Sequence, residues 1–204
     1  MLFRSGYYQE LFKLYYNDDV IDIDRISSCL SSFVNSIRAS NSKFDMVNMG
    51  MTSFTALEQQ GRELFFNVYP CGSCHSLSSG GYNTQPVKFS NIGLDVTSTD
   101  PGRFGVTHEQ SDEGKFKIPS LKNIALTAPY MHDGRLVNLS DVLIHYSNGI
   151  KNHQNLDSKL KNSSGEPLKL DITASQKEAL IAFLSTLTDN SMLSNPYYSD
   201  PFTH

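Results

Sequence analysis

The feature that most constrains this chain is "CGSCHSL" at positions 71 to 77, because it places two of only 3 cysteines three residues apart with a histidine next in line. Cys71, Cys74 and His75 have the C-x-x-C-H spacing, at which two thiols on one helical turn reach the vinyl groups of a haem and the adjacent imidazole reaches its iron. Two other chemistries use paired cysteines, and each lacks a partner here. A zinc site needs four ligands, and the third cysteine, Cys29, lies far upstream in a helical pattern. A thioredoxin-like dithiol belongs in a βαβ unit, and no such alternation of strand and helix patterns occurs.

Covalent haem is attached outside the cytoplasm, so a periplasmic protein with an export signal is expected. Met1 to Tyr16, "MLFRSGYYQELFKLYY", has neither the continuous apolar stretch nor the small-residue cleavage site of such a signal. The first five residues read as a gene-model or assembly scar, with the meaningful pattern starting at Gly6 and the export signal encoded upstream. No apolar run is long enough to span a bilayer. A net charge of −4 argues against a nucleic-acid partner.

The remaining pattern is mainly α. Ile26, Leu30, Phe33, Val34 and Ile37 form one face of a helix between Asp24 and Arg38, and Cys29 beside that stripe is expected to pack. Thr55-Ala-Leu-Glu58 and Thr173-Ala-Ser-Gln176 read as capping boxes, the first opening a helix through Phe65 and the second a helix that buries Leu180, Ile181, Phe183, Leu184 and Leu187. Asn138 or Ser140 caps a further helix with Leu139, Val142, Leu143 and Tyr146 on one stripe and Gly149 as its stop. Ser76 to Lys117 is rich in Gly, Ser, Asn and Asp and shows no periodicity. A haem acting as core explains so long an irregular loop, and it predicts an apolar cavity around His75. The 12 Phe and 10 Tyr are candidates for its walls.

Three segments together resemble the C-terminal haem domain of the bacterial di-haem cytochrome c peroxidases and their relative MauG. They are the C-x-x-C-H motif, "DPGRFGVT" at Asp100 to Thr107, and "PSLKNIALTAPYMHDGR" at Pro119 to Arg135. The resemblance implies a cytochrome c-like haem domain, with long irregular loops wrapping one covalent haem, over residues 51–188. Residues 1–50 would be a remnant of the first haem domain and its bridge, and 189–204 a tail. It also implies a sixth iron ligand on the helix after the "HDG" turn, and counting fourteen residues from His132 lands on Tyr146. Met131, a thioether in the loop, is the competing ligand. The choice matters because a thioether raises the potential and a hard phenolate lowers it. The family's calcium would be held by the main-chain carbonyls of Thr127 and Pro129.

The departures from the family are equally informative. One C-x-x-C-H and no Trp occur, so the peroxidatic haem and the distal acid–base groups of the family are expected in a missing N-terminal part. The expected role is electron transfer toward hydrogen peroxide reduction in the full-length protein, with no catalytic residue of its own. A small c-type cytochrome or other electron donor is the expected partner, and a homodimer the expected assembly. A stand-alone monohaem electron carrier and a MauG-like oxidase of a protein substrate are the alternatives.

Overall fold

The computed structural model describes residues 5–77 and 88–200. Most of the stretch read as a scar, and positions 78–87 of the long loop, lie outside the described residues. In chain order the α-helices are α1 (Gly6–Tyr16), α2 (Ile23–Ser36), α3 (Lys43–Asn48), α4 (Ala56–Glu63), α5 (Cys71–Cys74), α6 (Phe104–Thr107), α7 (Leu139–Ile144) and α8 (Ala174–Ser185). Two short strands, β1 (Phe89–Ser90) and β2 (Phe116–Lys117), pair antiparallel with Phe89 opposite Lys117. The chain groups into two units, Ala39–Ser194 and Met1–Arg38 with Asn195–His204. Residues 39–50 and 189–194 therefore belong with the haem-motif unit, whereas the sequence reading divided the chain at 50 and 188.

Both capping boxes form. Thr55 and Glu58 exchange backbone and side-chain bonds of 2.7 and 3.3 Å, and Thr173 and Gln176 do the same at 2.9 and 3.4 Å. These starts aim α4 and α8 at each other, and the two helices cross at Gly61. A Cβ there would lie 1.9 Å from the Ala179 carbonyl oxygen and 2.7 Å from Phe183 Cβ, so only glycine allows this approach. Behind the crossing, Phe183 is fully buried and its ring meets Phe44, Phe54, Phe65 and Phe66 at centroid distances of 5.4 to 6.1 Å. Such tilted and edge-on pairs are the favoured aromatic geometry. Leu180, Leu184 and Leu187 are buried as expected, Ile181 only in part.

Phe44 reaches this cluster from α3, whose start is a third capping box, Ser42 with Asp45. The Asp45 carboxylate is 4% exposed and accepts from Lys122 Nζ at 2.7 Å, which ties α3 to the segment after Pro119. Asp189, equally buried, accepts from the Asn41 N–H at 2.9 Å and the Ser191 N–H at 3.0 Å, while its own N–H donates to Asn123 Oδ1 at 2.7 Å. Both ends of the larger unit are thus fastened to its middle.

The smaller unit corrects one expectation. Helix α2 forms over the expected stretch, with Asp22 accepting from the Arg25 N–H at 2.8 Å, but no residue of it is buried. Leu30, Phe33 and Val34 are at least half exposed, Ile37 is exposed too, and only Ile26 is half-buried. Cys29 does not pack; it is exposed, with the Tyr16 hydroxyl 3.5 Å from its sulfur. The periodicity was sufficient for a helix, but a unit of two helices has too few neighbours to cover the apolar face.

The long loop holds more structure than its composition suggests. Asp100 Oδ1 accepts from the Gly102 N–H at 2.8 Å, Gly102 takes φ +58°, and the Arg103 N–H bonds the Lys115 carbonyl at 2.9 Å. Arg103 then lies 4.4 Å over the Phe89 ring with Nε 2.8 Å from Asp112. This is why the "DPGR" turn can fasten residues 100–117 beside β1 without any long element.

Candidate haem-binding site

The haem motif is delivered by α4 through a π-helical turn, Leu64–Val68, closed by the Tyr69 N–H on the Leu64 carbonyl at 2.8 Å. The wider turn is the structure's departure from the plain helix expected through Phe65, and such turns recur at functional sites. Tyr69 is buried and donates its hydroxyl to Gln176 Oε1 at 3.0 Å, fixing the turn to the start of α8. After Pro70, α5 makes one turn, with the His75 N–H on the Cys71 carbonyl at 2.9 Å. Lys159 Nζ donates to the Ser73 carbonyl at 2.7 Å and lies 4.0 Å from Cys74 Sγ, bracing that turn from across the unit.

His75 Nδ1 lies 3.1 Å from the Pro119 carbonyl oxygen. A carbonyl can only accept, so Nδ1 carries the proton and Nε2 keeps its lone pair free. Burial pushes the His75 pKa below the ordinary imidazole value, partly offset by the Pro119 bond, which preserves this neutral form. Burial also pushes the Cys71 thiol up to about 11. Cys71 and Cys74 form no disulfide. Among the described residues no cluster of His, Cys, Asp and Glu of metal-binding arrangement occurs.

These residues border a cavity of about 430 Å³. Its walls are mostly apolar: Ile92 and Leu94 from the long loop, Ile118 and Leu121 after β2, Leu180 and Leu184 from α8. Cys71, Cys74, His75, Met131 and Tyr146 all reach the same space. The apolar cavity anticipated around His75 is therefore present, and its volume falls within the range of sites for large cofactors and drug-sized ligands. Of the aromatic residues, Phe65, Phe116, Tyr130 and Tyr146 line it, while Phe44, Phe54 and Phe183 form the core behind.

Tyr146 stands just beyond α7, which Asn138 caps by accepting from the Asp141 N–H at 2.9 Å. Leu139, Val142, Leu143 and Tyr146 share the cavity side as their spacing predicts. The helical segment ends at Gly149, but not through the left-handed cap expected there. It widens into a second π-helical turn, His145–Gly149, followed by extended Ile150, and Gly149 keeps an ordinary φ. His145 is held there by Nε2 at 3.1 Å from the Ile92 carbonyl. The Tyr146 hydroxyl has no hydrogen-bond partner among the described residues, so no described backbone carbonyl satisfies it. Burial, and then the neighbouring Cys71 and Cys74, push its pKa well above the ordinary phenol value.

Met131 sits in the "PYMHDGR" turn with φ +73°. The adjacent His132 stacks on Phe116 with centroids 3.8 Å apart at the cavity rim. Arg135 fixes that turn by pairing with Asp133 at 2.6 Å and with Asp95 at 2.8 and 2.9 Å. Thr127 is exposed at the end of a short 3₁₀ turn, and Pro129 borders the cavity. Neither of their carbonyls accepts a hydrogen bond among the described residues. Sequence reasoning missed Pro119, Lys159 and the Asp95–Arg135 pair, since each acts from 40 or more positions away and carries no local pattern.

No family model matches the chain. Individual proteins do. Cytochrome-c peroxidase IdrP2 of Pseudomonas sp. strain SCT is 26% identical over 91% of this chain and 54% of its own. Methylamine utilization protein MauG of Paracoccus denitrificans is 29% identical over 73% and 46%, and the cytochrome c551 peroxidase of Nitrosomonas europaea 30% over 67% and 41%. The chain thus spans about half the length of the curated relatives it matches. Among solved structures, a MauG-like protein associated with microbial copper homeostasis superposes with TM-score 0.78 at 32% identity, covering 98% of this chain and 63% of that one. The di-haem peroxidase BthA of Burkholderia thailandensis shares the fold with TM-score 0.56 at 20% identity. The protein has a mainly helical, cytochrome c-like fold, and it is a homologue of the di-haem cytochrome c peroxidases and of MauG.

Proposed function

We propose that this chain is the electron-transfer haem domain of a longer periplasmic oxidoreductase and carries one haem c on Cys71 and Cys74. His75 and Tyr146 would hold its iron, and the full-length protein would reduce hydrogen peroxide with electrons from a small c-type cytochrome. The observation that carries the reading is one apolar cavity bordered by both cysteines, His75 and Tyr146, whose hydroxyl has no hydrogen-bond partner among the described residues. The haem supplies one-electron chemistry at its iron.

The protein's own groups prepare that site. The Pro119 carbonyl fixes the His75 tautomer so that Nε2 is the donor nitrogen. Lys159 holds the cysteine turn from outside the cavity, whose walls are mostly apolar. Tyr146 is held by a helix rather than a loop, which fixes a ligand at lower entropic cost than Met131. The carbonyls of Thr127 and Pro129 are the proposed calcium ligands, in a site completed by groups outside this chain.

One observation favours a second reading, a MauG-like oxidase of a protein substrate. A MauG-like protein's structure covers 98% of this chain at 32% identity. Both readings share the haem site. The test is to produce the chain with a cytochrome c maturation system and record its ferric spectrum. The wild type and Met131→Leu should be low spin and Tyr146→Phe high spin. The opposite pattern would move the ligand to Met131. The wild-type chain should also turn over peroxide far below about 10 s⁻¹, the typical enzyme rate.

A further inference from the structure

One motif is left unused by the cavity: Met46-Val-Asn-Met-Gly-Met51, which puts half of the chain's 6 methionines within six residues. None of the three borders the haem cavity. Helix α3 ends here in a defined closure. The Met51 N–H bonds the Met46 carbonyl at 2.9 Å, the Gly50 N–H bonds the Val47 carbonyl at 3.0 Å, and Gly50 takes φ +73°. This Schellman arrangement folds the chain back so that residue 51 returns beside residue 46, with Met49 on the last turn between them. Such closures usually bury an apolar contact, yet Met49 is 54% and Met51 72% exposed. Core packing therefore does not account for them, and Met46 is only half-buried.

We propose that the C-terminal end of α3 is a surface copper(I) site with the thioethers of Met46, Met49 and Met51 as its ligands. Thioether sulfur is a soft, neutral donor that selects Cu(I) over zinc, calcium or magnesium, which prefer nitrogen and oxygen. The three flexible stems adapt to a three-coordinate ion without moving backbone. The backbone beneath them is already fixed by the Ser42–Asp45 capping box and the Asp45–Lys122 pair. The Asp45 carboxylate, next to Met46 in sequence, is engaged in those bonds, and Glu58, which borders a second pocket with Met46, is paired with Lys43, so neither is free to offer the hard oxygen that would broaden selectivity. Thioethers carry no proton to lose, so Cu(I) should be held equally across neutral pH, unlike ions on Cys or His.

The test uses haem-loaded Cys29→Ser protein, which removes the one exposed thiol. Cu(I) is offered anaerobically under ascorbate in competition with a chromophoric Cu(I) chelator, and Ag(I), which haem iron cannot oxidise, serves as a second probe. One equivalent of each ion should bind, with the same affinity from about pH 6 to about pH 8, and Zn(II) should not displace it. Met49→Leu/Met51→Leu, a near-isosteric change that leaves the fold intact by circular dichroism, should lose that equivalent. Met192→Leu should retain it. No uptake, uptake that survives the double replacement, or uptake that falls as pH drops would each overturn the assignment.

Discussion

Replacing Gly61 by Ala tests the packing that shapes the cavity. The new methyl would sit 1.9 Å from the Ala179 carbonyl oxygen and 2.6 Å from its carbon, where real Cβ contacts are not found below 3.0 Å. The obstacle is backbone, so no side-chain rotation relieves it, and α4 and α8 must separate by about 1 Å. Overpacking of this kind costs up to about 3 kcal/mol. Alanine returns about 1 kcal/mol through its better helix propensity. The net loss is about 2 kcal/mol, or a fall in Tm of about 4–8 °C for a unit of this size. Because Leu180 and Leu184 of α8 and Phe65 beyond α4 line the cavity, the haem absorption bands should shift as well. Urea unfolding of haem-loaded protein, followed by far-UV circular dichroism, gives the number. Gly105→Ala is the control, since its Cβ would meet only Pro101 Cγ at an ordinary 3.5 Å. If Gly61→Ala were as stable as the wild type or more so, the close crossing at this point would be refuted.

Two further changes probe the fastenings of the same unit. Lys122→Met leaves the Asp45 carboxylate buried with only Ser42 as partner, so stability should fall by about 3 kcal/mol, the lower part of the range for a broken buried pair. Adding Asp45→Asn should recover part of the loss, as read by a double-mutant denaturation cycle. Burial pushes the Asp189 pKa up, but its bonds from Ser191 and the Asn41 N–H outweigh this and hold it below the ordinary 3.8. Below 3.8 the unfolded chain binds the proton first, so this contribution is present at neutral pH and is lost as pH falls through the lower folded value. Asp189→Asn should destabilise at neutral pH and flatten the acid limb of the stability curve; an unchanged limb would assign the acid sensitivity to other groups.

Much of the site was legible because its chemistry is local. C-x-x-C-H occupies one turn, the capping boxes span four residues, and the Leu139–Tyr146 stripe follows helical spacing, so each could be read without knowing the fold. What escaped is non-local. Pro119 meets His75 from 44 positions away, and Lys159 braces Ser73 from 86. Periodicity located Tyr146 and the end of its helix at Gly149, but not the π-helical turn by which that helix ends, and Gly149 keeps an ordinary φ instead of the left-handed cap. The Asp24–Arg38 stripe fixed a helix and not a burial, because a hydrophobic period records the face available for packing and carries no information on whether a partner covers it. In the long loop, elements of two to four residues are too short for any period, and Asp100, Gly102 and Arg103 act through turn geometry and a cation over Phe89 instead.

The central claim is that the cavity beside His75 holds a haem bound through both cysteines. Its most direct measurement is mass spectrometry of the protein made with a cytochrome c maturation system, denatured, treated with a thiol alkylating reagent and digested. The account predicts that the peptide containing Cys71 and Cys74 carries the mass of one haem and no alkyl group, while Cys29 is alkylated. Recovery of that peptide without haem and alkylated at both Cys71 and Cys74 would contradict it.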